Sequence, residues 1–483
     1  MTFCLRRAPV AALITGLAGC AAVGPNYVAP DTQTPATWQG AAAAQVAVTY
    51  SKPVDLARWW RQLNDPSLNR LINQAVQNSL DLRTAQAQLR EARARRALSG
   101  ADRFPTLTAG TSTNVSKDRA ETGAGHTRRL YSAGFDASWE PDVFGGVRRS
   151  EQAAQADLES TEANLQATRV SLVAEVALNY VEWRAFQERL RIAEANVATQ
   201  AETLQLTQWR AQAGLTSALD VEQARSNLAQ TRAQIPNLDT GRVEAERRLD
   251  LLLGQAPGTL TAPLAAVAGV PAVPAIITIG IPADTIRQRP DVRAAERRLA
   301  AETARIGVAE AARYPSFSLS GSLSLEALSL GALTGSDALA RGLVGSLAAP
   351  IFDAGRIRQQ IEIQNAVQEQ AFIAYQSTVL TALSEVENTL TALANTQQRQ
   401  RDLNEAVRAA RLAAQLARQR YSSGLIDFQT VLDSERTVLN LEDNAKSSQA
   451  DHVAALIQLY KALGGGWSDT AAKMTGQTPG IAS

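Results

Sequence analysis

Between Gly146 and Gly214 the chain has no proline, and apolar residues return at steps of seven: Val176, Trp183, Leu190, Val197 and Leu204. A sustained heptad step predicts a helix that packs as in a coiled coil. About 65 residues at ~1.5 Å each make a rod of ~100 Å, longer than an ordinary globular core needs. Ala, Gln, Glu and Arg fill the intervening positions, so the apolar stripe is narrow. Such helices lie side by side and leave another face wet. A second segment of the same kind runs from Gly355 to about residue 422. Short turns at Gly214 and Gly424 reverse the chain into further helices that end near Gly254 and Gly464. Two shorter helix-period segments, about 67–102 and 284–313, are broken by Pro105 and Pro315. After each proline the period changes to two. In "SFSLSGSLSLE" the residues Ser316, Ser318, Ser320, Ser322 and Ser324 alternate with Phe317, Leu319, Gly321, Leu323 and Leu325. In "YSAGFDASWE" Tyr131, Phe135 and Trp139 alternate with Ser132, Asp136 and Ser138. Both read as strands with one polar and one apolar face. A weaker strand pattern lies around 339–349.

These elements recur. Pro105 and Pro315, Gly214 and Gly424, and Gly254 and Gly464 are each 210 residues apart, and Phe144 and Phe352 are 208 apart. The chain is therefore a tandem duplication. The first repeat is placed at 67–256 and the second at 284–466, each holding a helix, two strands and a long helical hairpin. Between them, 257–283 carries Pro257, Pro263, Pro271, Pro274 and Pro282 and reads as an extended linker. The tail, 467–483, is expected to be disordered.

The N-terminus reads as an export signal over 1–19, with Arg6 and Arg7 ahead of a short apolar run. It ends in "LAGC", which resembles a bacterial lipobox, so Cys20 is expected to be lipidated at the head of a segment spanning 20–66. Ala21, where inner-membrane lipoproteins typically carry Asp, points to the outer membrane. No later run of eighteen apolar residues offers a transmembrane helix. Lys and Arg number 48 against 47 Asp and Glu, so no global field favours nucleic acid. The only cysteines are Cys4 and Cys20 and the only histidines His126 and His452. No HExxH, GxSxG, CxxC or phosphate-loop motif occurs, so no enzyme, metal or cofactor is expected. Trp183 and Trp209 read as packing residues.

Four strand segments of membrane-crossing length cannot close a barrel, since membrane barrels start at about 8 strands. Either the sheet is soluble and covered by helices, or chains share a barrel, eight strands from a dimer or twelve from a trimer.

The chain also resembles the TolC-like outer-membrane efflux proteins, in their lipoprotein branch typified by OprM and NodT. The resemblance is carried by "GCAAVGPNYVAP", "RWWRQLNDPSLNRLINQAVQNSLDL", "WEPDVFGGVRRS" and "PIFDAGRIR". The most specific stretch is "RQRPDVRAAERRLAAETARIGVAEAARYPSFSLSG", followed by "YSSGLIDFQTVLDSER". It implies a mostly α homotrimer, with long helical hairpins forming an α-barrel and four strands per chain completing a shared twelve-stranded membrane β-barrel. The linker then belongs to an equatorial belt. The implied job is the exit duct of a tripartite efflux pump. Its partners are a periplasmic membrane-fusion adaptor and an inner-membrane transporter, typically of the resistance-nodulation-division type, with outer-membrane lipid around the barrel.

The turns Gly214-Leu215-Thr216 and Gly424-Leu425-Ile426 are by themselves helix-hairpin turns capped by glycine; the resemblance makes them the tips that meet the adaptor. Asp433 and Arg436, three apart on one helical face, are by themselves a solvated surface pair. The resemblance makes them a periplasmic gate, with Asp220 of the first hairpin as a further candidate. Gln429 departs from the family, which carries a bulky apolar gate residue at that place. On the barrel reading Ser318, Ser320, Ser322 and Ser324 line the pore. The alternatives are a duct for secreted proteins and a periplasmic coiled-coil scaffold without a pore.

Overall fold

The computed structural model describes residues 22–31, 34–44, 47–48, 56–117, 127–260, 269–274 and 277–467. The expected signal peptide, Cys20 and all of the tail except Trp467 lie outside the described residues. Helices α1 (Pro66–Asn78), α2 (Leu80–Ala101), α3 (Gly146–Gln212), α4 (Ala218–Leu252), α5 (Pro282–Gln288), α6 (Pro290–Ala311), α7 (Arg356–Ser422) and α8 (Phe428–Ala462) dominate the chain. The strands are β1 (Ala47–Val48), β2 (Thr106–Lys117), β3 (Thr127–Trp139), β4 (Thr278–Ile279), β5 (Ser316–Ala327) and β6 (Leu339–Ala348).

Duplication is visible element by element. The pairs α2 and α6, β2 and β5, α3 and α7, and α4 and α8 each begin and end 210 residues apart. β3 and β6 leave that register, and β6 follows a connection holding two short 3-10 turns, Leu330–Thr334 and Ser336–Ala338. The helix-period segments read as single helices over 67–102 and 284–313 are each broken in two. At Ser79 the backbone turns extended (ψ 132°), and its N–H closes α1 on Ala75 O at 2.8 Å. At Arg289 (ψ 126°) the break has a plainer cause: Pro290 bars the α conformation in the residue before it and lacks the N–H that would continue α5.

Two compact units are present, and each draws on both repeats. The first comprises residues up to 31 with 88–162 and 294–376 and contains β2, β3, β5 and β6. These form one antiparallel sheet in the order β2-β3-β5-β6, so β3 of the first repeat pairs with β5 of the second.

The second comprises 32–87, 163–293 and 377–483 and holds the main hydrophobic core. Its centre is aromatic. Trp59 stacks on Tyr460 with ring centroids 5.1 Å apart, and Tyr180 donates to Asp65 Oδ2 at 2.7 Å. Asp65 also caps α1, accepting from the N–H groups of Ser67 and Leu68, with Pro66 in the first turn. The "RWWRQLNDP" stretch is thus a structural anchor.

"RPDV" has an equally physical role. The buried Arg289 guanidinium bonds Asp291, Glu385 of α7 and the backbone O of Ala462 at the end of α8 (2.8 Å). It satisfies a helix-terminal carbonyl that would otherwise be orphaned. Arg289→Ala leaves that acceptor unpaired and is expected to cost about 1–3 kcal/mol. A melting temperature unchanged in thermal unfolding would contradict this role.

Candidate functional site

Pairing register sorts the sheet into two chemically distinct faces. Thr108 pairs with Asp136, Asp136 with Ser322 and Ser322 with Gly342, so even-numbered residues share one face of all four strands. That face carries Thr106, Thr108, Ser112, Ser132, Asp136 and Ser138 beside Ser318, Ser320, Ser322 and Ser324. Ser112 and Ser132 hydrogen-bond across it at 2.8 Å. The odd face holds Leu107, Phe135, Trp139, Phe317, Leu319, Leu323, Leu343 and Leu347, every one of them exposed and Leu343 to 76%. Arg341, opposite Leu323, is a charged exception close to the hairpin end of β6. Within the chain, β2 and β6 each keep one unpaired edge. Long edge strands with an exposed apolar face demand a partner or a membrane.

The hairpin tips belong to the second unit. Gly214 and Gly424 have φ of +72° and +75°, the left-handed region that only glycine enters freely. Each closes a Schellman motif: Leu215 N–H reaches Arg210 O at 2.8 Å, and Leu425 N–H reaches Arg420 O at 2.9 Å. Leu215 and Leu425 therefore point outward, 67% and 72% exposed. Ile426 differs from Leu425. It is half-buried against a small core of Ala224, Ala417, Tyr421, Phe428, Val431 and Leu432.

Asp220 is engaged locally. Its carboxylate accepts from Thr216 Oγ1 and from Ser217 N–H, while Ser217 Oγ accepts from Asp220 N–H, a capping box that starts α4. Burial pushes this carboxyl up, but the hydrogen bonds from Thr216 and Ser217 outweigh it and hold it below the usual range. At the corresponding place α8 has Asp427 as its N-cap, whose carboxylate accepts from the N–H and Oγ1 of Thr430.

Asp433 and Arg436 are both exposed on α8, and among the described residues no ion pair joins them. Asp433 accepts from Gln429 Nε2 at 2.9 Å, and Arg436 donates to Asn227 Oδ1 of α4 at 2.9 Å. Gln429, the departure from the family pattern, is thus an exposed polar residue that orients Asp433. At the corresponding places of the first repeat stand Gln223 and Ser226, so this pair of charges belongs to the second hairpin alone.

Pattern reading missed two features. Trp209, read as a packing residue, is 58% exposed, and Leu219 beside the first tip is 65% exposed. Beneath the tips the helices also meet through buried polar groups. Thr203 Oγ1 of α3 donates to Glu435 Oε1 of α8 at 2.8 Å, and Arg418 of α7 lies 3.4 Å from the same oxygen. Among the described residues, both amide atoms of Gln200, Asn227 Nδ2, Tyr421 OH and Glu435 Oε2 are buried without a hydrogen-bond partner. Polar residues at the interior positions Gln200, Thr203 and Thr207 were the available signal. Such a seam is a weaker join than an apolar one.

Burial raises the Glu435 carboxyl above its ordinary value, against the lowering effect of Thr203 and Arg418. The folded state then holds this proton more tightly than the unfolded one. Stability should fall as pH rises from the ordinary glutamate range through the raised value. Glu435→Gln is expected to flatten that part of a stability-versus-pH curve. An unaltered slope would mean that the group titrates normally.

No helix among the described residues is long and apolar enough to cross a membrane. A four-stranded sheet with one hydroxyl face and one lipid-compatible face, in a chain with two helical hairpins whose arms are 67 and 35 residues long, defines an outer-membrane duct. The sequence profile of the Outer membrane efflux protein family matches residues 71–255 and again 281–465, the same 210-residue step. The pyoverdine export outer membrane protein OpmQ of Pseudomonas putida is 32% identical, over 90% of this chain and 92% of its own. The toluene efflux pump outer membrane protein TtgI of the same species is 33% identical, over 95% and 98%. The solved structure of the outer-membrane channel OprN superposes with a TM-score of 0.86 at 38% identity, covering 92% of this chain and 99% of that one. The chain belongs to the outer membrane efflux protein family and is an efflux channel of the outer membrane.

Proposed function

We propose that three copies of this chain close a twelve-stranded barrel, edge β6 of one copy against edge β2 of the next. The observation that carries this is the two-faced sheet with both edges free. In that assembly Ser318, Ser320, Ser322 and Ser324 line a wet pore, and Leu323 and Leu343 meet lipid. Cys20 is the lipid anchor. The long hairpins form the periplasmic α-barrel, and the turns at Gly214-Leu215-Thr216 and Gly424-Leu425-Ile426 dock a membrane-fusion adaptor. Leu219 and Trp209 widen the apolar surface on the first tip. An inner-membrane transporter, of the resistance-nodulation-division type, supplies the energy. Asp433 and Arg436 hold the mouth closed from three sides. Asp220 serves that gate indirectly, by fixing the start of α4. The names of the relatives favour small molecules as cargo rather than secreted proteins.

Cysteines placed on the outer edges of β2 and β6 test the assembly. Oxidation should produce a covalent trimer in outer-membrane fractions, and only monomers under oxidation would reject it. Conductance in planar bilayers separates a duct from a scaffold without a pore.

Asp136 stands on the even face between Thr108 and Ser322 and accepts no side-chain hydrogen bond among the described residues. A trimer places three such carboxylates around the lumen, and a ring of acids favours cations. Asp136→Asn is therefore expected to move the reversal potential in a salt gradient toward zero. A conducting variant with the wild-type reversal potential would remove Asp136 from the selectivity of the pore.

A further inference from the structure

The first unit contains a cleft of about 620 Å³ walled by Pro25–Tyr27, α2, α3 and α6. Five guanidinium groups face it, from Arg96, Arg103, Arg148, Arg149 and Arg297, against the two carboxylates of Glu151 and Glu159. Glu151 is shared by Arg96 at 3.4 Å and by Arg103, while Arg297 pairs with Glu296 and lies 3.4 Å from Glu159. Arg149 is 4% exposed. It donates to the carbonyls of Val23 (2.8 Å) and Gly24 (2.9 Å) and to Gln152 Oε1 (3.0 Å). No carboxylate lies within ion-pair distance of it among the described residues. A buried guanidinium with hydrogen bonds and no counter-charge favours an anion beside it. The exposed Arg148 has no ion-pair partner among the described residues either.

The cleft also lies at the foot of the sheet. Arg103 precedes β2 by three residues, and Trp139, which donates to Arg103 O at 3.0 Å, ends β3. Phe144 and Tyr314 stack nearby with centroids 4.7 Å apart, and Phe104 is 69% exposed. Aromatic residues at strand ends mark the headgroup level of a membrane. The carbonyls that Arg149 holds belong to the segment just after Cys20.

We propose that this cleft binds the phosphate of an anionic glycerophospholipid in the inner leaflet of the outer membrane. Arg96, Arg103 and Arg148 supply the planar donors that suit phosphate oxygens, and Arg149 supplies the uncompensated charge behind them. The site rests on the outer-membrane placement and not on the pore or its gate.

Native mass spectrometry of the full protein in detergent tests it. The protein is titrated with phosphatidylglycerol, with phosphatidylcholine of the same acyl chains, and with inorganic phosphate. Phosphatidylglycerol is expected to stay bound at least about tenfold more tightly than phosphatidylcholine. The triple variant Arg96→Gln, Arg103→Gln, Arg148→Gln should lose that preference, and the lysine triple variant should recover part of it. Equal retention of the two lipids, or an unchanged preference in the glutamine variant, would overturn the site. Displacement of phosphatidylglycerol by millimolar phosphate would overturn a lipid as its occupant. Should the triple variant fail to assemble, Arg148→Gln alone carries the test, because that exposed side chain has no ion pair among the described residues to lose. Conductance of these variants in planar bilayers should stay at the wild-type value, so failure of the lipid site and failure of the channel reading are separable.

Discussion

Arginine at both Leu323 and Leu343 should abolish the assembled channel. Both residues lie on the odd face of the sheet and are half or more exposed in the single chain. A lipid-facing arginine at bilayer mid-depth costs about 2–4 kcal/mol. One such arginine per chain, at Leu343, sums in the proposed trimer to roughly 6–12 kcal/mol, on the order of the net stability of most domains. The native Arg341 stands opposite Leu323 and two residues from the hairpin end of β6, where a long side chain can extend to the headgroups, so an arginine at Leu323 adds the smaller share of the cost. The matched control is Ser320→Arg with Ser322→Arg on the even face. It should leave the oligomer intact and reduce conductance, because those side chains enter the lumen. Unheated outer-membrane fractions on a denaturing gel report the oligomer. Equal loss in the two double variants would refute the assignment of faces.

Alanine at Asp433 and Arg436 should raise single-channel conductance. Within the chain the two residues contact Gln429 and Asn227 rather than each other, so their charges remain available to neighbouring copies. An exposed charged contact contributes about 1 kcal/mol or less. Two contacts per chain in the proposed trimer reach about 6 kcal/mol at most. That is on the order of the 5.5 kcal/mol that moves an equilibrium from 1:99 to 99:1. Asn227→Ala should give a smaller increase, because it frees Arg436 from α4 without removing either charge. Asp220→Ala should act differently, fraying the first turn of α4 by roughly 1 kcal/mol through loss of the capping box. Unchanged conductance in the Asp433 and Arg436 double variant would rule out this pair as the constriction.

Much of the fold was legible in the residues. The heptad step through Val176 and Trp183 marks α3, and both side chains are buried in the core. Alternation in 316–325 marks β5, and the 210-residue step locates its counterpart β2. The glycines at 214 and 424 mark both tips, because a left-handed backbone has few other occupants. The outward Leu215 and Leu425 follow from those turns.

Other features were not legible, each for a reason of distance. That β3 pairs with β5, joining the repeats in one sheet, depends on contacts between residues nearly two hundred positions apart. The role of Arg289 depends on Glu385 and Ala462, which no local pattern connects to it. Asp220 enters from the sequence only as a further gate candidate, and only the turn geometry commits it to Thr216 and Ser217. Exposure of Trp209 and burial of Glu435 are decided by which helices flank them.

The amino-acid sequence by itself determined the repeat, the kinds of element, the two-faced strands and the hairpin reversals. Each of these is a local preference of backbone and side chain, expressed at spacings of two, three or seven residues and copied once at 210. Tertiary structure alone decided strand order, the division into two units that cut across the repeats, the polar seam below the tips and the arginine-lined cleft. Those arise where side chains from distant segments share a desolvated space, and the cost or gain of a charge there depends on every neighbour at once.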